Sequence, residues 1–274
     1  MASSTWPERI LRVADHIQAH LDDELEPVAL AELAGFSLHH FHRVFRGMTG
    51  ESVMGFIRRL RLERAASALR YEDRSVTELA FVSGYNSHEA FTRAFRSRFG
   101  VPPQEYRTRQ RVVVDPVEFV IREDRSRVCY ALRHVGPYET AHKAWQRLYA
   151  WAGSRGVLDR EIGGFGLVYD DPEVTEAERL RYDACIEIPE ADADPSLLGP
   201  EITIRRIPAG RYAVALHLGS YDDIGDTYVG MLGRRMPAHG LELATEPTVE
   251  LYLNSPMDTA PDDLRTEICM RIDT

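Results

Sequence analysis

Three histidines lie within four positions of the segment GFSLHHFHRVF, at His39, His40 and His42. Imidazole can bind a metal ion, transfer protons near neutral pH or act as a hydrogen-bonding group. On a helix, His39 and His42 share one face, whereas His40 points aside. No cysteine, aspartate or glutamate stands at a matching helical step, so we predict no metal site and no cofactor. We interpret His39 and His42 as groups that form hydrogen bonds with another molecule.

A second candidate for chemistry is Glu250, which stands between Val249 and Leu251 in an otherwise apolar run. Burying a carboxylate without a partner is costly, and a cationic ligand would supply that partner. Four aromatic residues could line a cleft around Glu250 and attract a cation through their π faces. They are Tyr138, Trp145, Trp151 and Tyr252. The alternatives are that Glu250 pairs with an arginine at the rim and that the aromatic residues only pack in a core.

The chain is 274 residues long, which predicts two domains of ordinary size. Its net charge of −10 is unevenly distributed. Residues 1–110 hold 15 arginines and 14 acidic residues, whereas residues 111–274 hold 18 basic and 29 acidic residues. The first part could therefore approach DNA phosphates, and the second would be repelled by them.

Three widely spaced cysteines, Cys129, Cys185 and Cys269, fit reduced thiols better than a disulfide framework. No apolar run is long enough to span a membrane, and the N-terminal residues lack the apolar stretch of a signal peptide. We therefore expect a cytoplasmic protein that has no membrane partner.

The first half contains an internal repeat with an offset of 49 residues. LAELAGFSLHHFHRVF is followed by LAFVSGYNSHEAFTRAF. Each copy predicts a short helix, a turn with glycine, a serine N-cap and a second helix, which is a helix-turn-helix. The pairs Phe41/Phe45 and Phe91/Phe95 must face the core, so the opposite face of each second helix is free to read a DNA groove.

A connecting helix over residues 53–69 separates the two copies. Held rigidly, the two recognition helices would enter successive major grooves about 34 Å apart on one side of the duplex, and a monomer could bind an asymmetric site. Arginines on the outer surfaces suit phosphate contacts. They are Arg46, Arg58, Arg59, Arg96 and Arg98.

Residues 6–109 resemble the AraC/XylS DNA-binding domain along its full length. The resemblance rests on LAxxAGFSxxxFxRxFR, G-x-S at residues 50–52, RLRLERAASAL and SGYNSxxxFTRAFRSRFGVPPQEYR. It implies an all-α domain over residues 1–110 with two helix-turn-helix units that bind double-stranded DNA. The implied base contacts come from His39, His42, Arg43, His88, Glu89, Thr92 and Arg93. Glu89 could instead orient Arg93 through an i,i+4 pair.

The second half is also doubled, at offsets of 83 and 84 residues. HVGPYETAHKAWQRLYAWAGSRGV aligns with HLGSYDDIGDTYVGMLGRRMPAHGL, so that Tyr138 matches Tyr221 and Trp145 matches Tyr228. Each copy is expected to form a strand, a helix and two further strands. Residues 111–274 are thus predicted to form an α+β domain with helices on one side of a sheet and a cleft between its halves.

Residues 112–274 resemble the GyrI-like effector-binding domain, through HVGPYETAHKAWQRLYAW, ELYLNSP and DDLRTEICMRI. The whole chain resembles the Rob-type architecture, an AraC-type reader joined to a GyrI-like sensor. In relatives of this sensor, the glutamate that matches Glu250 lies in the ligand pocket and often contacts cationic, hydrophobic compounds. Glu250 also stands opposite Gly166 in the repeat, where the two halves differ most clearly.

The expected function is a transcription regulator that binds DNA, senses a small-molecule effector and contacts RNA polymerase, with no catalytic residues. One alternative makes the second domain a hydrolase in which Glu250 and Tyr138 or Tyr252 act together, with the carboxylate as general base. Another makes the acidic domain a protein-interaction module.

Overall fold

A computed structural model describes residues 5–110, 117–199, 201–236, 239–241 and 243–272. The chain divides into two compact units, Met1–Val113 and Val114–Thr274. The division lies three residues after the boundary expected at residue 110. In the part of the chain that the structure describes, none of the helices combines the length and apolar character needed to cross a membrane.

The first unit is helical throughout its described residues. Its helices are α1 (Trp6–Ala19), α2 (Pro27–Leu33), α3 (Leu38–Thr49), α4 (Val53–Tyr71), α5 (Val76–Val82), α6 (His88–Phe99) and α7 (Pro103–Gln110). Helices α2 and α3 form one helix-turn-helix and α5 and α6 form the other, with α4 between them. This confirms the predicted doubling and the connecting helix.

Both helix-turn-helix turns place a glycine against an arginine from the preceding long helix. Gly35 and Gly84 have φ values of +64° and +78°, a region that glycine adopts without strain. Arg9 donates to backbone carbonyls of the first turn. At the second turn, a Cβ on Gly84 would lie 2.6 Å from Nη1 of Arg61. Glycine is therefore favoured at both turns by the left-handed backbone conformation, and its missing side chain leaves room for the arginine that packs on it.

The phenylalanine pairs form the core beneath the two recognition helices. Phe41, Phe45, Phe91 and Phe95 are all fully buried, as predicted. Burial of each such ring contributes roughly 1.5–3 kcal/mol. Ser87 caps α6 by accepting a hydrogen bond from the backbone N–H of residue 90 at 3.1 Å. The recognition helices are thus held mainly through their inner faces, while Arg43 and Arg93 on the outer faces are exposed.

The second unit is an antiparallel sheet of eight strands with two main helices. The strands are β1 (Val120–Asp124), β2 (Arg127–Val135), β3 (Gly163–Val168), β4 (Arg181–Ile188), β5 (Ile202–Ile207), β6 (Gly210–Leu218), β7 (Thr248–Tyr252) and β8 (Arg265–Arg271). The helices are α8 (His142–Ser154) and α9 (Ile224–Gly230), and α9 continues into a π-helical turn, Met231–Arg235. The strand order is β1-β6-β8-β7-β3-β4-β2-β5.

The predicted repeat is present as β2-α8-β3-β4 and β6-α9-β7-β8, which confirms the strand, helix, strand, strand pattern. Each copy is preceded by an edge strand that the sequence pattern did not predict, β1 or β5. These edge strands are exchanged, because β1 pairs with β6 of the second copy and β5 pairs with β2 of the first. The centre of the sheet is the β3–β7 pair, where Gly166 stands directly opposite Glu250.

Two histidines occupy equivalent positions at the ends of β2 and β6. Nε2 of His134 lies 3.0 Å from the backbone carbonyl of Pro137, and Nε2 of His217 lies 3.0 Å from that of Ser220. Both contacts tie a strand end to the loop before a helix. Their equivalence in the two copies indicates a structural role.

Each face of the sheet has its own buried cluster. Helix α8 packs Ala144 and Leu148 on residues of β2 and β4, and α9 and the π-helical turn cover β6 and β8. The opposite face buries Phe165 and Val249 together with the three cysteines. All three cysteines are free thiols.

A buried ion-pair cluster lies on this opposite face. Asp183 accepts a hydrogen bond from Nη2 of Arg133 at 3.1 Å and from the hydroxyl of Tyr169 at 2.8 Å, and it is 3.1 Å from Nη2 of Arg205. Burial alone would raise the pKa of Asp183, but attraction to the two arginines and these hydrogen bonds lower it to about 2. The ionised carboxylate is therefore part of what stabilises the fold.

Replacement of Asp183 by asparagine should destabilise the second unit, because two buried arginines lose their counter-charge. A loss of roughly 3–5 kcal/mol is expected at pH 7 from urea unfolding. Since the folded pKa is depressed, the carboxylate contributes fully above its unfolded value of about 4, and this contribution of about 2 kcal/mol is lost as pH falls towards 2. The acid dependence of unfolding between pH 4 and 2 should therefore be flatter in Asp183→Asn.

Asp262, which is exposed, provides the control. Asp262→Asn should leave both the stability at pH 7 and its acid dependence within about 0.5 kcal/mol of the parent. Equal acid dependence in Asp183→Asn and the parent would contradict the assignment.

Candidate functional site

The outer face of α3 presents the predicted base-contacting residues of the first helix-turn-helix. His39, Arg43 and Arg46 are exposed, and His42 is half-buried beside the ring of Phe41. Among the described residues, neither Arg43 nor Arg46 forms an ion pair. Their charges are therefore available to an anionic partner such as DNA.

His40 is directed elsewhere. Its ring contacts Trp6 with centroids 5.2 Å apart and Phe36 with centroids 5.0 Å apart. These edge contacts connect the start of α1 with α3. His40 thus packs against α1 at the rim of the first unit, while His39 and His42 lie on the outer face of α3.

The outer face of α6 presents the second set. His88, Arg93 and Arg96 are exposed, and among the described residues the two arginines form no ion pair. Thr92 is half-buried, and its hydroxyl oxygen is covered without a hydrogen-bond partner among the residues described. A base contact by Thr92 would require its side chain to rotate, so the arginines are the stronger candidates on this helix.

Glu89 lies at the N-terminus of α6. Its pKa is lowered by a hydrogen bond from its own backbone N–H and, next, by one from the Ser87 hydroxyl, while attraction to Arg93 is a smaller contribution. Negative charge is favourable at this end of a helix. The carboxylate is thus oriented mainly by the helix terminus, and only to a lesser degree by Arg93.

Two of the five arginines predicted to contact phosphate are already paired inside the first unit. The Arg59 side chain is 10% exposed and contacts Glu51 and Glu63, each at 2.9 Å. The Arg98 side chain is 22% exposed and contacts Glu63 at 2.9 Å. Because these charges are compensated internally, Arg59 and Arg98 are poor candidates for phosphate contact. Arg58 is exposed, like Arg46 and Arg96, and stays in the predicted set.

In the second unit, Glu250 lies at the centre of the sheet and points towards the helix-covered face. It is 7% exposed. The hydroxyl of Tyr228 donates to its Oε1 at 2.8 Å, and the hydroxyl of Tyr252 donates to its Oε2 at 2.9 Å. Tyr228 comes from α9 and was not among the predicted ligand residues, although the repeat aligns it with Trp145. The carboxylate is thus held by two phenols from different elements.

A row of hydrogen bonds extends from this carboxylate to α8. The hydroxyls of Tyr252 and Tyr182 are 2.7 Å apart, and Nε1 of Trp145 donates to the Tyr182 hydroxyl at 2.9 Å. An indole N–H can only donate, and an ionised carboxylate can only accept. With Glu250 ionised, every bond in the row therefore has one consistent direction, from Trp145 through the two phenols to Glu250, and such aligned bonds strengthen one another.

Glycines on β3 make room for these aromatic rings. A Cβ on Gly166 would lie 2.6 Å from the Tyr182 hydroxyl and 2.7 Å from that of Tyr252. A Cβ on Gly164 would lie 3.3 Å from the Trp145 ring. The two repeats thus differ in a complementary way, with glycine at position 166 of β3 and glutamate at position 250 of β7. The glycine is needed because a side chain there would block the phenols that contact Glu250.

The charge of Glu250 is not balanced as other buried charges are. Four acidic residues are buried in the described part of the chain, namely Glu63, Asp183, Glu187 and Glu250. The first three have arginine partners. Among the described residues, no arginine or lysine pairs with Glu250. Burial raises its pKa, and the two phenol hydrogen bonds and attraction to His217 only partly oppose this effect.

The other predicted ligand residues are placed in different ways. The Tyr138 hydroxyl donates to the backbone carbonyl of Asp170 at 2.7 Å, and its ring centroid is 6.3 Å from that of Tyr182. Trp151 instead contacts Tyr130, with centroids 4.9 Å apart. Trp151 comes six positions after Trp145, about 9 Å farther along the helix. Trp151 therefore belongs to the core under the far end of α8. We therefore exclude Trp151 from the candidate ligand site.

Two further aromatic residues belong to the cluster. The Tyr221 ring lies 5.6 Å from that of Tyr252, and the Tyr149 ring stacks on Trp145 at 5.7 Å. The repeat aligns Tyr221 with Tyr138, so the internal alignment carried a signal for it. For Tyr149, the internal repeat gave no comparable indication. Tyr149 stacks on Trp145 because it follows that residue by four positions, on the same helix face.

Comparison with known proteins agrees with this division of the chain. Residues 118–273, more than half of the chain, match the family described as "GyrI-like small molecule binding domain", and residues 30–109 match the family described as "Helix-turn-helix domain". Among the described residues, no group of three or more His, Cys, Asp or Glu side chains could hold a metal ion.

Three curated relatives illustrate the two halves. An uncharacterised HTH-type transcriptional regulator, YbfP of Bacillus subtilis, is 35% identical over 103 residues, which is 38% of this chain and 35% of that protein. Transcriptional regulator Rob of Salmonella typhimurium is 36% identical over 91 residues, 33% of this chain and 32% of Rob. DNA gyrase inhibitor of Escherichia coli is 26% identical over 140 residues, 51% of this chain and 87% of the inhibitor.

The chain spans about a third of the length of the first two relatives and most of the third. The first two matches are of the extent expected for the helix-turn-helix half and the last for the GyrI-like half. The chain therefore belongs to the GyrI-like family, and it joins that small-molecule-binding domain to an AraC-type helix-turn-helix domain in a Rob-type arrangement.

Proposed function

We propose that the first unit recognises a specific duplex site by placing α3 and α6 in successive major grooves on one side of the DNA. The supporting observation is that Arg43 and Arg93 stand at equivalent positions of the two recognition helices, exposed and without ion pairs among the described residues. An arginine in this position can pair bidentately with guanine O6 and N7. Since one chain carries both helices, a monomer is sufficient to occupy the site. The bound regulator would contact RNA polymerase.

The contacts divide into base-reading and phosphate-binding groups. Base contacts are proposed for His39, His42, Arg43, His88, Glu89, Thr92 and Arg93. Phosphate contacts are proposed for Arg46, Arg58 and Arg96. The first group sets the sequence preference, and the second sets affinity and its dependence on salt.

We propose further that the second unit binds a hydrophobic cation at Glu250. The observation that carries this proposal is a buried carboxylate that accepts hydrogen bonds from two phenols and, among the described residues, pairs with no arginine or lysine. A cation would supply the missing counter-charge, and the surrounding rings would add about 0.5–2 kcal/mol each. Trp145, Tyr138, Tyr252, Tyr228 and Tyr221 are the proposed lining residues.

Ligand control of DNA binding follows if the cation binds one arrangement of the protein more tightly than another. Glu250 is suited to this role because its hydrogen bonds join β7 with α9 through Tyr228. A cation that takes over the carboxylate would weaken this bond, so occupancy would alter the restraint on α9. Coupling energies of this kind are typically 1–3 kcal/mol.

A second candidate function is hydrolysis. The observation that favours it is the hydrogen bond between the Tyr252 hydroxyl and Glu250, whose raised pKa suits a general base. Cation binding and hydrolysis use the same carboxylate but differ in outcome, since only hydrolysis converts the bound molecule into product.

Arg43→Ala and Arg93→Ala should each weaken binding to the preferred operator by about 1–3 kcal/mol, or roughly 5- to 150-fold, and relax the preference at one base pair. The operator would be selected from random duplexes with the full-length chain, and footprinting should show two protected segments about one helical turn apart. Arg46→Ala should instead weaken binding to all sequences alike and reduce the salt slope by about one.

The exposed Arg155 of the second unit provides the control for these variants. Arg155→Ala should bind like the parent. Selection that yields no sequence preference would contradict the proposed recognition.

Glu250→Gln should bind tetraphenylphosphonium at least about tenfold more weakly than the parent, because the amide keeps the shape but removes the counter-charge. The measurement is a thermal-shift titration, since a ligand that binds the folded state stabilises it. Neutral triphenylphosphine oxide should bind parent and variant equally weakly. Glu178→Gln, at an exposed position, is the matched control and should leave binding unchanged.

Equal binding of the cation by the parent and Glu250→Gln would contradict the assigned anchor. Product formation from an ester probe that disappears in Glu250→Gln would favour hydrolysis instead. Binding of the probe without product supports the sensor.

The pH dependence should also follow Glu250. Since its folded pKa is raised, folding retains the proton between the ordinary carboxyl value and the raised one, so the free energy of unfolding falls as pH rises through this window. Cation affinity should rise over the same window, because the ionised carboxylate is the form that binds. Urea unfolding and titration at pH 4 to 8 should show both trends in the parent, and neither in Glu250→Gln after other groups are subtracted. Opposite slopes would contradict the burial of an uncompensated acid.

A further inference from the structure

A row of four charged side chains joins the ends of the two recognition helices. Glu51 follows the C-cap of α3, Arg59 and Glu63 lie on α4, and Arg98 lies in the last turn of α6. Oε1 of Glu51 is 2.9 Å from Nη2 of Arg59, and Nη1 of Arg59 is 2.9 Å from Oε2 of Glu63. Oε1 of Glu63 is 2.9 Å from Nη2 of Arg98. The row therefore crosses from one helix-turn-helix to the other.

Burial makes these contacts strong and directional. The Glu63 side chain is 6% exposed, and its two oxygens bind two different arginines. The guanidinium of Arg59 lies 5.0 Å from the Phe56 ring centroid, and that of Arg98 lies 5.7 Å from the Phe99 ring centroid. Charges held in such a low-dielectric setting interact more strongly than exposed pairs and are little screened by salt.

We propose that Glu63 is a positioning residue that fixes the separation and relative orientation of α3 and α6, and thereby the spacing between the two half-sites of the operator. This inference rests on the proposed two-groove recognition. The ends of the two reading helices are linked through α4, because Glu51 pairs with Arg59 and Glu63 pairs with both Arg59 and Arg98, so a change in their relative position must stretch or bend at least one ion pair of the row.

Stability alone does not account for this row. Well-packed apolar side chains of similar volume often stabilise a fold as much as a buried ion pair does, whereas charged pairs impose fixed distances and angles. The row also holds two arginines, Arg59 and Arg98, in internal ion pairs. Its distinctive effect is a defined geometry between the two helix-turn-helix units.

Glu63→Gln is the direct test. Glutamine keeps the size of the side chain but presents one amide N–H group to an arginine, so that it can accept from only one of the two guanidinium groups. One link of the row is lost, and the two units can then adopt a wider range of relative positions.

The full-length chain would be tested on its selected operator and on derivatives with the half-sites one base pair closer or farther apart. The parent should lose about tenfold or more in affinity on either derivative, because one base pair shifts the second groove by about 3.4 Å and rotates it about the duplex axis. Glu63→Gln should bind the selected operator more weakly than the parent but discriminate less than about threefold among the three spacings. Binding to a single half-site should stay within about twofold of the parent.

Ile17→Val, which removes a buried methyl group from α1, is the stability control and should keep the spacing preference of the parent. Parental spacing discrimination in folded Glu63→Gln would overturn the inference, even if overall affinity fell. If circular dichroism shows that Glu63→Gln is unfolded, Arg98→Gln decides, since Arg98 is more exposed and its replacement removes the ion pair between α6 and Glu63 while Arg59 and Glu63 are retained. It should relax the spacing preference, and retention of that preference would overturn the inference. A parent chain that selects no operator would refute the proposed function itself.

Discussion

Much of the second unit is organised around the cost of burying the Glu250 carboxylate without an arginine or lysine partner among the described residues. Two phenols must donate to it, so α9 has to bring Tyr228 to the centre of the sheet, and β7 must carry Tyr252 two positions farther on. The phenol of Tyr252 in turn needs Gly166 on the neighbouring strand. A buried polar group of this kind is tolerated when all its hydrogen bonds are made, and it leaves an electrostatic demand that a ligand can meet.

The arginines of this protein fall into two groups, those that are exposed and those that form internal ion pairs. In the first unit, Arg43, Arg93 and their neighbours on the outer faces stay exposed, whereas Arg59 and Arg98 are buried against Glu63. The exposed arginines can exchange water and counter-ions for DNA phosphates. The ion-paired arginines instead hold elements of the protein in fixed positions. In the second unit, Arg133 and Arg205 pair with the buried carboxylate of Asp183. Arginine content by itself is therefore a weak guide to where nucleic acid binds.

The sequence was informative wherever a repeat or a helical period was involved. Periodicity placed Phe41 and Phe95 in the core, and the alignment of the two halves located Glu250 as a point of difference. It could not show that Arg59 and Arg98 meet Glu63, because the second contact spans 35 positions and depends on how α4 crosses α6. The edge strands β1 and β5 were missed because their partners lie in the other repeat. Trp151 was misplaced because spacing along one helix does not reveal how far a pocket extends.

The exchange of edge strands places the two central strands on a local axis of symmetry, with positions 166 and 250 facing each other. A homodimer of one identical repeat would have to put the same residue at both positions. Two glutamates there would repel each other across the strand pair, and two glycines would offer no anion. A covalent fusion, in which each copy can change alone, permits a single carboxylate on the axis. The duplicated chain can thus provide a site for one positive charge that a symmetric assembly cannot build.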